Sequence, residues 1–187
     1  MTDERSTAAG TPADPFPVPP LTFTDASGRE VRIDVLSSSD DAGFESLVEM
    51  YDDFDPSMRA QGIPPVGERR VRTWLQSLLV LDSHNLLAWL GERVIGHATL
   101  VPDGEDHELA IFVHQDFQGS GVGTRLIRAL LGYGATRGVG AVWLTVERWN
   151  HAAITLYEKV GFETTNAEAL DVEMELDLSA VHTESTG

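Results

Sequence analysis

The fold of this chain is decided by the stretch Val113-His-Gln-Asp-Phe-Gln118-Gly-Ser-Gly121-Val-Gly123-Thr124. Its three glycines stand at alternate positions directly before an amphipathic segment. Glycines in this arrangement let several backbone N–H groups point into one concavity, and the dipole of a following helix adds about half a positive charge there. The stretch therefore predicts a turn that binds an anion at the start of a helix.

Two common phosphate-binding patterns are excluded at this turn. It lacks the Gly-Lys-Ser/Thr ending of the nucleoside triphosphatase loop. A dinucleotide fingerprint needs a glycine where Thr124 stands and an acidic residue about 20 positions later, and both are absent. Taken alone, the turn is also compatible with a helix start that only needs close packing.

Hydrophobic patterning on both sides of the turn predicts a mixed α/β sandwich. The predicted elements, in chain order, are a hairpin over 21–35, a helix from Asp40 or Asp41, a second helix with Val71, Trp74, Leu75, Leu78 and Leu79 on its inner face, a hairpin over 86–101, a strand over 109–113, a helix over 121–137, a strand over 141–146, a helix over 150–160 and a strand over 170–178.

The length of 187 residues fits a single domain. Five of the nine prolines fall between Pro12 and Pro20, so we predict a disordered, proline-rich tail over 1–20. The predicted domain spans 21–178, and a second disordered tail spans 179–187.

The charge balance excludes several partners. The 13 basic and 30 acidic residues give a formal charge of −17, so we expect no nucleic acid partner. Lys159 is the only lysine, and a carboxylate-rich surface of this kind resembles proteins from salt-loaded cytoplasm.

The absence of cysteine excludes thiolate ligands and a cysteine nucleophile, and we expect no metal. No apolar run reaches the roughly 20 residues that span a bilayer and no signal peptide is evident, so we expect a cytoplasmic protein with no membrane association.

A second motif, later in the chain, decides how the glycine-rich turn is interpreted. The stretch is Asn150-His-Ala-Ala-Ile-Thr-Leu-Tyr157-Glu-Lys-Val-Gly161-Phe162. Together, and in this order, the two motifs resemble those of the GNAT family of acetyl-CoA-dependent N-acetyltransferases. The resemblance is tight from about Leu86 to Phe162, and the core motif is most similar to the Pat-type protein-lysine acetyltransferases. It implies a mostly antiparallel sheet of six to seven strands, splayed between the fourth and fifth and flanked by four helices.

The resemblance also implies where acetyl-CoA binds. The turn from Gln118 receives the pyrophosphate, and the strand before it lines the pantetheine arm. Asn150 holds the arm as well, although it is also a good N-cap for its helix. The implied cofactor-binding residues are Ile111, Phe112, Val113, Gln118, Gly119, Ser120, Gly121, Val122, Gly123, Thr124, Asn150 and Tyr157.

The implied reaction is direct attack of a primary amine on the thioester in a ternary complex. A backbone N–H near Val113 polarises the carbonyl, and Tyr157 is the general acid at the sulfur. Glu108 is the candidate base, as in the Pat-type enzymes. His107 is the runner-up, because strand alternation puts it on the opposite face and its ordinary pKa suits a base. A bulge in the strand could reverse these faces, and a water chain to a distant carboxylate is a further alternative.

The acceptor stays open at this stage. Candidates are a protein lysine, a polyamine, an amino acid or an aminoglycoside-like amine. Seven acidic residues between Asp40 and Asp55 could attract a cationic amine, although the whole chain is acidic. Family members are often homodimers, which the resemblance implies without identifying a surface. A non-catalytic acyl-CoA-binding sensor module is the alternative function.

Overall fold

A computed structural model describes residues 16–38, 40–58, 64–167 and 170–179. The helices are α1 (Asp41–Asp52), α2 (Glu68–Val80), α3 (Val122–Thr136) and α4 (His151–Val160). The strands are β1 (Leu21–Thr24), β2 (Glu30–Val35), β3 (His84–Leu90), β4 (Arg93–Asp103), β5 (Asp106–Val113), β6 (Ala141–Glu147), β7 (Glu163–Ala167) and β8 (Asp171–Asp177).

One sheet, in the order β1-β2-β3-β4-β5-β6-β8-β7, forms the centre of the molecule. Every neighbouring pair is antiparallel except β5 and β6, which are parallel. The structure thus confirms the mixed α/β fold with four helices. The described residues give eight strands rather than six or seven, because the polar segment Glu163–Ala167 pairs with β8 at the sheet edge.

Helices cover both faces of the sheet. On the face that we call the α3 face, Leu126 and Leu130 of α3 are fully buried against the strands. On the α1 face, Leu47 of α1 packs with Val71 and Leu75 of α2 over β3 and β4. Burying one such side chain contributes about 1.5–3 kcal/mol. The apolar periodicities of these helices therefore decide which face each one covers.

The middle strands divide their side chains between these two faces. The register of β3 with β4 shifts between Ala88 and Trp89, and after this shift β4 and β5 pair without interruption. Alternation along the two strands then fixes the face of each side chain. Ala98, Leu100, His107, Leu109, Ile111 and Val113 lie on the α3 face, whereas His97, Thr99, Glu108, Ala110 and Phe112 lie on the α1 face.

Ordered packing begins before Leu21, where the predicted domain starts. Phe16 is buried in the core of the α3 face, and the guanidinium of Arg128 lies 5.2 Å from the centre of its ring. A Cβ on Gly132 would overlap the backbone of Pro17, so this glycine allows the segment to lie against α3. The predicted tail boundary at residue 20 is therefore too late.

The remaining parts of the predicted tails, 1–15 and 180–187, lie outside the described residues. No helix in the described segments combines the length and the apolar character that crossing a membrane requires.

Candidate active site

The parallel strands β5 and β6 separate soon after they meet. They pair at two positions, His107 with Val142 and Glu108 with Trp143. Beyond these positions the described residues of the two strands show no further register. This opening is the splay that the resemblance implies between the fourth and fifth strands, and in the described residues it falls between the fifth and the sixth, because β1 and β2 give two strands before α1.

The edge of β5 that borders this gap presents backbone groups. The N–H of His114 donates to the carbonyl of Ile95 on β4 at 3.0 Å. Successive residues of a strand direct their backbone groups to opposite sides, so those of Val113 and Ile111 point away from β4 and into the gap. An extended molecule with amide groups can pair with such an edge as an added strand would.

The glycine-rich turn lies at the open end of the gap. Gly119 and Gly121 have φ of 70° and 88°, and a Cβ on either would meet no atom within 4 Å. Helix α3 begins at Val122. The N–H groups of Val122, Gly123 and Thr124, in the first turn of this helix, have no acceptor within it. The turn therefore has the free donors and the open surface that anion binding requires.

Two side chains of the turn hold its shape. The side-chain amide of Gln118 donates to the carbonyl of Val113 at 2.9 Å. The buried hydroxyl of Ser120 donates to the carbonyl of Phe117 at 2.6 Å, while the carbonyl of Ser120 accepts from the N–H of Ala26 at 3.0 Å. Ser120 therefore has its backbone N–H, rather than its hydroxyl, to offer to a ligand.

The first turn of α3 brings the gap and α4 together. A Cβ on Gly123 would lie 3.7 Å from both the Val113 and the Leu156 side chains and 3.9 Å from Ile111. These are ordinary van der Waals distances, so the glycine-rich turn, the end of β5 and α4 converge at this point. Thr124 follows in the same turn and is partly buried.

Phe112 differs from its two neighbours on β5. Its backbone pairs with His97 on β4, and its ring lies on the α1 face. There it meets Tyr51 at 5.5 Å, Phe54 at 6.1 Å and Trp74 at 6.2 Å between ring centres. The structure thus places Ile111 and Val113 along the gap and places Phe112 in an aromatic cluster on the other face.

Tyr157 on α4 is partly buried, and burial raises the pKa of its hydroxyl to about 12. Its ring packs edge-on to Phe162 at 5.8 Å between centres. No described residue lies within hydrogen-bond distance of the hydroxyl. The Tyr157 hydroxyl is therefore protonated at neutral pH and can donate a hydrogen bond to a ligand.

Asn150 is the N-cap of α4. Its side-chain oxygen accepts from the N–H of Ala153 at 3.2 Å, so the capping interpretation of this residue is confirmed. The side chain is exposed, and its amide N–H groups stay available to a ligand. Seven positions separate Asn150 from Tyr157, which places both on one side of α4.

The two candidate bases lie on opposite faces. Glu108 is on the α1 face and is exposed at the surface, but neighbouring protein atoms remove part of the water around its carboxyl group. This desolvation, together with the charge of Asp103, raises the pKa of the carboxyl group. His107 is on the α3 face, where its ring stacks on His84 at 5.8 Å. Because β5 pairs with β4 without interruption, no bulge reverses this assignment.

A chain of buried polar side chains on the α1 face was not predicted from the sequence. The Tyr51 hydroxyl donates to Nδ1 of His97 at 2.7 Å, and Nε2 of His97 donates to Oδ1 of Asn85 at 3.0 Å. Asn85 donates in turn to the Ser83 hydroxyl at 2.9 Å. Burial lowers the pKa of His97 to about 3, so this imidazole stays neutral. Its hydrogen bond with Tyr51 helps to hold the aromatic cluster in place.

A second polar group links the end of α1 to the end of β5. Nε2 of the fully buried His114 lies 3.0 Å from the carboxylate of Asp53. The Gln115 side chain donates to the carbonyl of Asp53 at 2.8 Å and accepts from the N–H of Asp55 at 3.1 Å. The chain that leaves α1 is therefore anchored to the segment that leads into the glycine-rich turn.

Several of the seven acidic residues between Asp40 and Asp55 have local structural partners. Asp40 caps α1 through the N–H of Gly43 at 2.9 Å. Glu45 forms a paired contact with Arg72, and Asp53 meets His114 as described. These contacts favour the interpretation that this run stabilises α1, and they reduce the charge available to attract an amine.

Comparisons with known proteins agree with this geometry. The model of the acetyltransferase (GNAT) family matches residues 45–162. The chain is 48% identical over 96 residues to the [ribosomal protein bS18]-alanine N-acetyltransferase of Salmonella typhimurium, covering 51% of this chain and 57% of that protein. It is 37% identical over 86 residues to N-alpha-acetyltransferase RimI of Mycobacterium tuberculosis, covering 43% and 52%. The chain thus spans about half the length of these relatives.

Solved structures share the fold. The GNAT domain of S. lividans PAT superposes with a TM-score of 0.73 at 19% identity, over 84% of this chain and 96% of that domain. The structure of yncA from Salmonella typhimurium with acetyl-CoA gives a TM-score of 0.63 at 22% identity, over 79% and 94%.

Proposed function

Because this chain belongs to the acetyltransferase (GNAT) family, we propose that it transfers the acetyl group of acetyl-CoA directly to a primary amine. One observation carries the proposal: beyond its two-residue pairing with β6, the edge of β5 that carries the N–H groups of Ile111 and Val113 leads straight to the glycine-rich turn at the start of α3. An extended arm with amides at one end and a pyrophosphate at the other matches this sequence of donors and acceptors.

The N–H groups of 119–124 bind the pyrophosphate at the start of α3, where the helix dipole adds to their attraction. Gly119 and Gly121 leave the backbone accessible at this point. The pantetheine arm then runs along β5 from Val113 toward Ile111, and the side-chain amide of Asn150 contacts it from α4. The thioester lies toward the closed end of the gap, where β5 and β6 meet.

The chemistry follows from the groups around that end. A neutral amine attacks the thioester carbonyl, a C–N bond forms and the C–S bond breaks. The N–H of Ile111 or Val113 donates to the carbonyl oxygen as negative charge develops there. Tyr157, whose raised pKa keeps its hydroxyl protonated at neutral pH, donates a hydrogen bond to the departing sulfur and supplies its proton as the C–S bond breaks. Glu108 takes the proton from the amine, and its raised pKa makes it a stronger base.

A polypeptide amine is the acceptor class that we propose to test first. Two relatives are named for acetylation of a ribosomal protein at alanine and for N-alpha acetylation. The Pat-like motif adds the lysine side chain as the other polypeptide amine.

The test supplies isotope-labelled acetyl-CoA to the purified chain with three acceptors: a peptide with a free N-terminal alanine, an N-terminally blocked peptide with one lysine, and spermidine. The assay is run at low and at high KCl, and label is followed in each product. Label in one peptide supports transfer and names the acceptor. The proteins of a cell extract are offered as acceptors in the same way. If acetyl-CoA binds but no label appears in the three acceptors or in the extract, the sensor function is supported instead.

A further inference from the structure

Thr99 on β4 carries a polar atom that the fold does not satisfy. The residue is 2% exposed, and within the described residues its hydroxyl has no hydrogen-bond partner. Burying a hydroxyl without a partner is unfavourable, and valine would fill the same space without that cost. A hydrogen-bond partner for this hydroxyl has to come from its neighbours on the α1 face.

The neighbours on one side of Thr99 are already engaged. Asn85 lies opposite it on β3, but the amide of Asn85 is bonded to His97 and Ser83. His97, two residues away on β4, uses its second ring nitrogen for the Tyr51 hydroxyl. This polar chain is complete without Thr99.

On the other side, the polar side chain of β5 that lies nearest to Thr99 on this face is that of Glu108. Ala110 lies opposite Thr99, and Glu108 pairs with the next residue on this face, Val101. Glu108 is therefore the diagonal neighbour of Thr99, at the roughly 7–8 Å separation that a long side chain bridges. Ala110, next to Glu108 on this face of β5, carries only a methyl group. No described residue forms a hydrogen bond with the Glu108 carboxylate.

We propose that Thr99 is a positioning residue whose buried hydroxyl donates a hydrogen bond to the Glu108 carboxylate and turns it inward toward the acceptor amine. Glu108 without this partner points to solvent. With it, the carboxylate lies over Ala110, beside the gap edge at Ile111. The inference rests on the proposed function, in which Glu108 takes the proton of the amine. Thr99 itself forms no bond with the substrate and gives up no proton.

The test compares Thr99→Val and Thr99→Ser in the wild-type and Glu108→Gln backgrounds. Thr99→Val should lower kcat/KM about tenfold, the low end for a hydrogen bond to a charged group. Its Tm should be unchanged or higher, because an unpaired buried hydroxyl is removed. Thr99→Ser should recover activity toward the wild-type value. In the Glu108→Gln background, Thr99→Val should cause no further loss. Thr22→Val on β1, far from the gap, is the control and should change none of these quantities.

Three results would overturn the inference. The first is wild-type kcat/KM in Thr99→Val. The second is an equal loss of kcat/KM from Thr99→Val in the wild-type and Glu108→Gln backgrounds. The third is a lower Tm of Thr99→Val, or its failure to fold. The second and third results would each indicate that Thr99 has a structural role. Full activity of Glu108→Gln removes the base and the inference together, whereas a wild-type chain that transfers no acetyl contradicts the proposed function itself. The two failures are therefore told apart by the wild-type and Glu108→Gln rates.

Discussion

Glu108 on β5 stands directly beside Trp143 on β6, and this is the last pair before the two strands diverge. The candidate base is thus at the closed end of a gap whose open end is the glycine-rich turn. A molecule that enters with its phosphates at the turn brings its far end toward Glu108. This relationship makes the protonation state of Glu108 the first property to test.

Replacing Asp103 by asparagine should shift the acidic limb of kcat/KM to lower pH. The charge of Asp103 contributes to the raised pKa of Glu108, so its removal lowers that pKa and Glu108 loses its proton earlier as the pH rises. A pH series of initial rates checks this. Glu30→Gln on β2 makes the same change in net charge far from Glu108, and an equal shift in both variants would exclude a local effect.

Gly121→Ala should weaken acetyl-CoA binding more than it weakens the fold. At φ of 88° an alanine strains the backbone by about 1–2 kcal/mol, and relaxation of that strain moves the N–H groups of the turn. Gly91→Ala, at φ of 59° in the β3–β4 turn, is the matched control. Titration calorimetry should show a higher Kd for Gly121→Ala only. Equal Kd values in the two variants would mean that the turn does not hold the anion.

His97→Gln should flatten the dependence of stability on pH between about 7 and 5. The folded state holds the pKa of His97 at about 3, below its ordinary value near 6.5, so the unfolded chain binds the additional proton in this range. Stability from His97 is therefore present above pH 6.5 and is lost as the pH falls, by about 2 kcal/mol at pH 5.

Denaturant unfolding at the two pH values measures this loss. At pH 7 the variant should already be less stable than the wild type, by about 1–3 kcal/mol, because Tyr51 and Asn85 lose their partner. An identical pH dependence in wild type and variant would show that His97 is not neutral in the fold.

Removing residues 1–15 should leave the folded domain intact, whereas removing residues 1–20 should destabilise it. The second truncation takes away Phe16, whose burial in the core makes its loss equivalent to a large-to-small substitution of about 3–5 kcal/mol. Phe16→Ala in the full chain should reproduce the effect. Thermal unfolding of the three proteins checks this, and equal Tm values for both truncations would show that Phe16 contributes little.

Local sequence predicted the elements that position the site. Asn150 and Gly161 bound α4 almost where their capping preferences place them, and Gly121 precedes α3 in the same way. Strand alternation predicted that His107 and Glu108 lie on opposite faces of the sheet, and the structure places them there. These features depend on residues close together in the chain, where propensity and periodicity decide the outcome.

Features that depend on distant contacts were missed. Tyr51 and His97 meet across 46 positions, and no local pattern relates them. The strand β7 is exposed at all its positions, so it lacks the apolar alternation that marks a strand. The packing of Phe16 on α3 was hidden by the prolines around it, which are typical of a disordered tail.

The most direct test of the whole account is acetyl transfer by Tyr157→Phe compared with Tyr133→Phe. Both tyrosines are partly buried in the same core, but only Tyr157 is assigned to the departing sulfur. We predict that Tyr157→Phe lowers kcat at least a hundredfold while the Kd for acetyl-CoA stays near that of the wild type, and that Tyr133→Phe retains kcat. Wild-type turnover in Tyr157→Phe would contradict the assignment of the general acid and, with it, the mechanism proposed for the gap.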